Sequence, residues 1–272
     1  MEEHSFSEQT RRCAEYILQA TSVVVLSGAG LSTSAGIPDF RGPRGIYNRL
    51  DIPNPEKIFE LWSFQEDPSL FYRFYREFLK ELSDIAPTYT HFFLAALEQK
   101  GKVEGIITQN IDSLHQKAGS RKVYEIHGGV HDTYCTSCGG YYALSEAREK
   151  VMVEEVPQCS QCGSVLKPDI VFFGENVKHL SLCEKLAEKS DLFFVLGSSL
   201  AVTPAALLPG LCKGNVVVVN QGDFSASYLD PKKISLRVNA DLDSFFRGVN
   251  RELQTHGFSL KIEENAVSRK NS

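Results

Sequence analysis

The stretch that decides the reading runs from residue 23 to residue 43: VVVLSGAGLSTSAGIPDFRGP. Its opening, Val23-Val24-Val25-Leu26, predicts a strand buried on both faces, the kind that parallel sheets use. The run breaks at a Gly-x-Gly and leads into a helix start, which is how an α/β sheet presents backbone N–H groups to a phosphate. Gly28 and Gly30 carry no Cβ, so they are expected to take positive φ and to permit close approach. The third glycine comes late, at Gly36, and Thr33 stands where the dinucleotide fingerprint has glycine. The spacing therefore departs from G-x-G-x-x-G. A glycine turn alone leaves nucleotide binding open. The continuation Ile37-Pro38-Asp39-Phe40-Arg41 sharpens it, because a rigid turn there carries an acid, an aromatic ring and a guanidinium.

Working outward, further short apolar runs predict strands at Gly105–Thr108, Val123–Ile126, Leu192–Leu196 and Val216–Val219. Helical stretches are expected at Ser7–Ala20, with Ser7 as N-cap, and at Ser69–Leu82, Thr88–Gln99, Asp112–Ala118, His179–Glu188 and Pro204–Leu211. Strand alternating with helix predicts an α/β fold: a doubly wound parallel sheet, Rossmann-like, with a smaller inserted zinc module. Two segments break the alternation. Residues 42–64, rich in Gly and Pro, read as a loop with one short helical piece, either an ordered surface excursion or a loop covering a cofactor. Residues 133–168 hold four paired cysteines and read as the insertion.

Composition sets limits. The chain has 272 residues, 42% hydrophobic and 23% charged, ordinary for a globular protein. Its net charge of −5 gives no electrostatic case for nucleic-acid binding. No apolar run approaches the ~20 residues that span a bilayer, and the N-terminus lacks a signal-peptide core. Seven cysteines without a secretory context predict a reducing, cytoplasmic setting, and the chain is expected to act as a monomer.

Cys135-x-x-Cys138 and Cys159-x-x-Cys162 lie twenty residues apart, each pair followed by glycine. Four thiolates on two such knuckles suit one tetrahedral Zn2+ in a closed, structural site. Disulfides fit the compartment poorly, and nothing else argues for an iron–sulfur cluster. Zinc ribbons often bind nucleic acid, but residues 131–166 carry two basic and five acidic side chains, the wrong sign for a phosphate backbone.

Gln109, Asn110 and Asp112 follow a predicted strand at its carboxyl end, the edge where open α/β sheets bind ligands. On residue type alone they suit ribose hydroxyls and a carboxamide, or equally a helix N-cap. A lone histidine such as His127 is more often structural than catalytic, and its place before Gly128-Gly129, where backbone packs closely, raises the catalytic reading. Taken in order, the glycine stretch, Thr108-Gln109-Asn110-Ile111-Asp112-Ser113-Leu114-His115, His127-Gly128 and the two cysteine pairs resemble the sirtuin family, the NAD-dependent protein-lysine deacylases. The resemblance runs from about Val23 to about Phe246.

That resemblance implies an activity, a cofactor and a set of site residues. The activity is NAD-dependent deacetylation of an acetylated protein or peptide, giving free lysine, nicotinamide and O-acetyl-ADP-ribose. The alternatives are a mono-ADP-ribosyltransferase at the same NAD site and a catalytically silent NAD- or zinc-binding scaffold. By the same resemblance, NAD contacts are expected from Gly28, Ala29, Gly30, Thr33, Asp39, Phe40 and Arg41. Gln109, Asn110, Ile111 and Asp112 would hold the nicotinamide ribose and carboxamide. Gly197, Ser198, Ser199, Asn220 and Gln221 lie on the same ligand edge, with Asn220 on the adenosine ribose and Asp241 near the adenine. His127 is the expected general base, and Asn110 is also assigned to catalysis. Val171, Phe173, Gly174 and Glu175 would bind substrate, with an extended peptide pairing its backbone there, although Val171-Phe172-Phe173 also reads as plain core strand. Phe40, Ile111 and Val171 are expected to wall an apolar tunnel. His115 and His131 are given no chemistry.

Residues 1–42, 84–130 and 169–262 are read as the NAD-binding domain. Residues 43–83 form the cofactor loop and helical part of the small domain, 131–168 the zinc module, and 263–272 a tail. One absence bears on the acyl group. Sirtuins that prefer succinyl- or malonyl-lysine resemble one another in a Tyr-x-x-Arg, and here Tyr75 stands three residues after Tyr72, and Phe78 three after Tyr75. Arg73 and Arg76 are expected to point to solvent.

Overall fold

The computed structural model describes residues 5–37, 55–222, 225 and 227–264. Six strands form one parallel sheet: β1 (Val23–Ser27), β2 (Val103–Thr108), β3 (Val123–Glu125), β7 (Leu192–Leu196), β8 (Asn215–Val219) and β9 (Ile234–Val238). Their order is β3-β2-β1-β7-β8-β9. The chain starts in the middle and winds outward to both edges, a doubly wound arrangement. In β1, Val23 and Val25 face one core cluster and Val24 and Leu26 the other. An unbroken apolar run is thus a period-two strand with both faces covered. Helices α1 (Phe6–Gln19), α4 (Tyr89–Gln99) and α8 (Leu242–Thr255) cover the first face, and α7 (Leu180–Lys189) covers the second.

A second, antiparallel sheet has the order β5-β4-β6, from β4 (Gly128–Cys135), β5 (Tyr141–Ala143) and β6 (Leu166–Ile170). It carries α6 (Leu144–Val153) and rests on α2 (Leu61–Glu66) and α3 (Ser69–Leu82). The chain passes from the large sheet to the small one at His127 and leaves β6 at Val171, whose N–H donates to the His127 carbonyl at 2.8 Å. Beside this crossing Gly128 pairs with Ile170. Gly128 has φ +70°, and a Cβ there would sit 1.7 Å from the Asp169 carbonyl oxygen, so only glycine fits.

Several expectations need correction. The N-cap of α1 is Ser5, whose hydroxyl accepts from Glu8 N–H, rather than Ser7. The sixth strand β9 and the helices α6 and α8 were not among the expected elements. Residues 205–211 form a 3-10 turn with Pro209 inside it, which denies an α-helix its backbone donor. Helix α5 (Leu114–Lys117) is a single turn. Arg73 is exposed as expected, but Arg76 is half-buried. It donates to the carbonyls of Val151 and Glu154 at 2.7 Å each, tying α3 to the end of α6. Of the loop expected at 42–64, residues 42–54 lie outside the described residues, and the remainder is a 3-10 turn (Pro55–Phe59) and α2. Of the tail expected at 263–272, residues 265–272 lie outside them, and Glu264 is ion-paired with Arg247. Among the described residues, no helix is long and apolar enough to cross a membrane.

Candidate active site

Every strand of the parallel sheet delivers residues to one cleft of about 480 Å³ at its carboxyl ends. Gly28 and Ala29 follow β1, Gln109 and Asn110 follow β2, and His127 follows β3. Gly197 and Ser198 follow β7, Asn220 and Gln221 follow β8, and Asp241 lies just after β9. Gly30, Thr33, Ile111 and Ser199 also line it, as do Val171 and Phe173 on the opposite wall.

The glycine turn works differently from its expected role. Gly28 has φ −128°, and Gly30 is likewise outside the positive-φ set. Both are needed for close approach: a Cβ on either would come within 2.8 Å of Gly197 backbone atoms. The positive φ falls instead on Gly197 (+60°) and on Gly36 (+98°). The Gly28 and Gly30 N–H groups already donate to the carbonyls of Leu196 and Gly197, which locks the β1 and β7 loops into one glycine-walled cradle.

Beneath the cleft lies a buried polar floor. Asn110 Nδ2 donates to the Gly28 carbonyl at 3.0 Å and to Ser32 Oγ at 3.1 Å. Ser32 Oγ donates to Asp112 Oδ2 at 2.7 Å, and Asp112 Oδ1 accepts from Leu114 N–H at 2.9 Å. Asp112 therefore sits below the lining, one residue before the N-cap Ser113, and bonds the first N–H of the single-turn helix at Leu114–Lys117. Burial raises its carboxyl above the usual range, against the hydrogen bonds from Leu114 and Ser32. Ser27 Oγ donates to Thr108 Oγ1 at 2.9 Å and lies 2.9 Å from His115 Nε2. Thr108 Oγ1 accepts the Asn110 N–H.

His115 packs against His91 with ring centroids 4.8 Å apart and planes tilted by 60°, both buried. Burial pushes both imidazoles down, His115 to about 3. In the unfolded chain these rings titrate near 6.5, so below that pH the unfolded state takes protons the folded state refuses. Their contribution to stability is intact above pH 6.5 and declines as pH falls. The thermal midpoint should drop from pH 7 to pH 5, and His115→Gln should show a shallower decline, by up to about one proton in the slope. An unchanged slope in the variant would show that His115 does not titrate on unfolding.

His127 stands half-buried where the two sheets meet. Its Nδ1 lies 3.2 Å from the Gln109 carbonyl, which can only accept, so Nδ1 carries the proton and Nε2, without a partner among the described residues, is the acceptor. Burial holds the ring below its ordinary pKa, partly offset by that hydrogen bond. Gln109 is steadied in turn by Ser198 Oγ, which donates to its Oε1 at 2.8 Å.

The opposite wall is the segment after β6. Phe173 N–H donates to the Phe59 carbonyl at 2.7 Å, and its carbonyl accepts from Leu61 N–H at 3.1 Å. Backbone pairing with an added peptide is thus already taken at Phe173. Glu175 accepts from Phe172 N–H and from Lys167 Nζ, a clasp that shapes the turn, and neither Gly174 nor Glu175 lines the cleft. Asp39, Phe40 and Arg41 lie outside the described residues. Phe59, Ile170, Phe172 and Val202 line the cleft but had no site role in the sequence reading; their only signal was apolar character beside it.

In the small sheet the four Sγ atoms of Cys135, Cys138, Cys159 and Cys162 lie within 4.8 Å of one another. Tyr142 Oη donates to Cys159 Sγ at 3.3 Å and pulls that thiol down to about 6. A deprotonated sulfur at neutral pH is a metal ligand.

A model of the Sir2 family matches residues 28–204. An NAD-dependent protein deacetylase of Thermotoga maritima is 42% identical over 234 residues, covering 84% of this chain and 92% of the relative. NAD-dependent protein deacylase 2 of Archaeoglobus fulgidus is 39% identical over 250 residues, covering 90% and 97%. A solved structure of Sir2 with a p53 peptide and NAD+ superposes with a TM-score of 0.79 at 38% identity, covering 91% of this chain and 98% of that one. Sir2 bound to an acetylated peptide superposes at 0.78 and 36%, covering 92% and 99%. Family model, relatives and structures agree along most of the chain, which belongs to the Sir2 family, the sirtuins.

Proposed function

We propose that the cleft catalyses NAD-dependent removal of an acyl group, acetyl above all, from lysine in a protein or peptide. The observation that carries this is the meeting of three parts in one cleft: a glycine cradle, a neutral histidine with Nε2 as acceptor, and an apolar wall. The donor set fits NAD. Glycines 28, 30 and 197 let the β1 and β7 loops close on each other and form one wall of the cleft without side chains. Gln109, Asn110, Ser198, Ser199, Asn220, Gln221 and Asp241 offer the amides, hydroxyls and carboxylate that ribose, carboxamide and adenine need. Asp39, Phe40 and Arg41 join them on the sequence resemblance, with Asp112 acting from below through Ser32. When bound, NAD supplies the ADP-ribosyl group that takes the acyl group, with nicotinamide as leaving group.

The chain's own residues do the rest. His127 Nε2 accepts a proton from a hydroxyl brought within reach, while Gln109 keeps the ring in the required tautomer. Asn110, pinned to Gly28 and Ser32, presents its remaining amide capacity to the cleft. Ile111, Val171 and Phe173 strip water from the lysine stem, which matters because an amide oxygen is a weak nucleophile and water competes for the same carbon. Zn2+ held by the four cysteines has a structural part. The presence of two separate sheets supports a division into NAD-binding domain and zinc module, although bounds at 131 and 168 fall inside β4 (Gly128–Cys135) and β6 (Leu166–Ile170). The free cysteines support a reducing, cytoplasmic setting. Nicotinamide release with and without an acetyl-peptide, with mass analysis of products, tests the reading. Release without peptide, or ADP-ribose found on protein, would favour the transferase alternative.

The acyl preference follows from α3. Tyr72, Tyr75 and Phe78 are buried in an aromatic cluster with Phe59 and Phe172, and Arg76 is engaged with the α6 carbonyls. Among the described residues, no cation from this helix lines the cleft. A succinyl carboxylate would lose hydration without a partner charge, at a cost of roughly 2 kcal/mol or more. Acetyl-lysine should exceed succinyl-lysine by at least about thirty-fold in kcat/KM. Comparable values on matched peptides would refute this.

A further inference from the structure

Helix α2 has a fixed rotation. Phe64 is buried, its ring 5.5 Å from that of Phe71 and 5.3 Å from that of Phe172. A residue two positions earlier on a helix lies about 200° around the axis. With Phe64 turned inward, Trp62 is turned out, and it is 78% exposed. It is the chain's single tryptophan. Ser63, Gln65 and Glu66 make the rest of this outer surface polar, so the fold itself asks for no indole there. Next to it, Leu61 N–H holds the Phe173 carbonyl. Phe173 lines the cleft yet is 47% exposed, whereas its neighbour Phe172 does the packing and is buried. Two large apolar side chains therefore stand in water on backbone segments bonded to each other, and one of them, Phe173, lines the cleft. Exposed apolar area clustered beside a groove marks a contact surface.

What meets that surface is constrained by the bonds already made. Both backbone groups of Phe173 are paired with residues 59 and 61, so an approaching chain meets side chains there, not a free strand edge. Of the nearby carboxylates, Glu60 accepts from Ser63 Oγ and Glu175 is paired with Lys167, while Glu66, one turn on from Trp62, is exposed. We propose that Trp62 and Phe173 form a shelf that receives a large apolar side chain flanking the acyl-lysine, making this enzyme selective for acyl-lysines with apolar neighbours. This rests on the deacylase reading and adds a substrate class to it.

Two acetyl-lysine peptides test it on the whole chain, one with leucine on both sides of the lysine and one with serine. The leucine peptide should be preferred by about tenfold in kcat/KM, the scale of partly burying one apolar side chain, and the difference should lie in KM. Trp62→Ala should collapse the preference to within about twofold, and Trp62→Phe should restore it. Because Trp62 is alone, its emission should be that of an exposed indole in the free protein and move to shorter wavelength with the leucine peptide only. An equal preference in the parent protein, a preference that survives Trp62→Ala, or a buried-type emission without peptide would each overturn the shelf. An emission shift with the leucine peptide but no turnover of either would keep the shelf and refute the deacylase reading, so the two fail separately.

Discussion

His127→Ala is expected to lower deacetylation by roughly 10²–10⁴ while NAD binding changes little. The expectation rests on where the ring stands. It occupies the point at which the chain leaves the parallel sheet for the cysteine-bearing sheet, and its carbonyl holds Val171 on the opposite wall. The backbone anchors the site whether or not an imidazole is present, so truncation removes the base and leaves the walls. The Gln109 carbonyl accepts a hydrogen bond from Nδ1–H, which fixes the proton on Nδ1 and leaves Nε2 unprotonated. Burial lowers the pKa, which keeps Nε2 able to accept at neutral pH. Protonation switches the base off, so the acidic limb of the rate profile should lie below the ordinary imidazole value. Steady-state rates on an acetyl-peptide and direct titration of NAD separate the two effects. Turnover within tenfold of the parent would remove His127 from the mechanism. A large loss of NAD affinity would make it a binding residue instead.

How much of this was legible in the sequence differs between parts of the fold. The buried strands β1, β7 and β8 could be read because both faces are covered, which demands an uninterrupted apolar run. The edge strand β9 escaped notice because Ile234-Ser235-Leu236-Arg237-Val238 alternates, and half its side chains face outward. Helix α3 was legible from its apolar periodicity, yet the fate of Arg76 was not. Which carbonyls a guanidinium finds depends on α6, some seventy residues further along. The same limit held at the glycine turn. Sequence suggested close approach, but the partner, Gly197, lies far along the chain, and only the packed β1 and β7 loops show that Gly197 takes the positive φ. Gln109, Asn110 and His127 were placed at strand ends by local pattern. The floor beneath them, from His115 through Ser27 and Thr108 to Asn110, joins separate elements and leaves no local signature.

One zinc per chain is the second large expectation, and its loss should take folded protein with it. A zinc–thiolate bond of about 2.3 Å in a tetrahedral site sets the sulfurs roughly 3.8 Å apart. Cys135 and Cys162 Sγ lie 3.4 Å apart, and Cys138 and Cys159 Sγ 3.7 Å, close to that spacing. Four thiolates so close repel one another unless a cation lies between them. The core behind them is small: Cys135, Tyr142, Ala147, Cys159 and Leu166. Five residues bury too little apolar area to order three strands and a helix, whereas a structural zinc contributes on the order of 10 kcal/mol. The damage should spread, because Tyr72 Oη donates to the Leu166 carbonyl and Arg76 to the end of α6. Those bonds join the cysteine sheet to the aromatic cluster behind the cleft wall, and β4 and β6 end beside His127 and Val171. Serine at Cys135, Cys138, Cys159 or Cys162 should therefore abolish metal content and lower soluble folded protein, rather than give a clean kinetic defect. Alanine at Cys13, Cys183 or Cys212, which sit in the parallel-sheet core, should leave a full metal equivalent. Metal analysis beside circular dichroism decides it: a full equivalent of zinc in folded Cys138→Ser would end the four-cysteine assignment, because a closed site with three ligands cannot hold the metal as tightly as one with four.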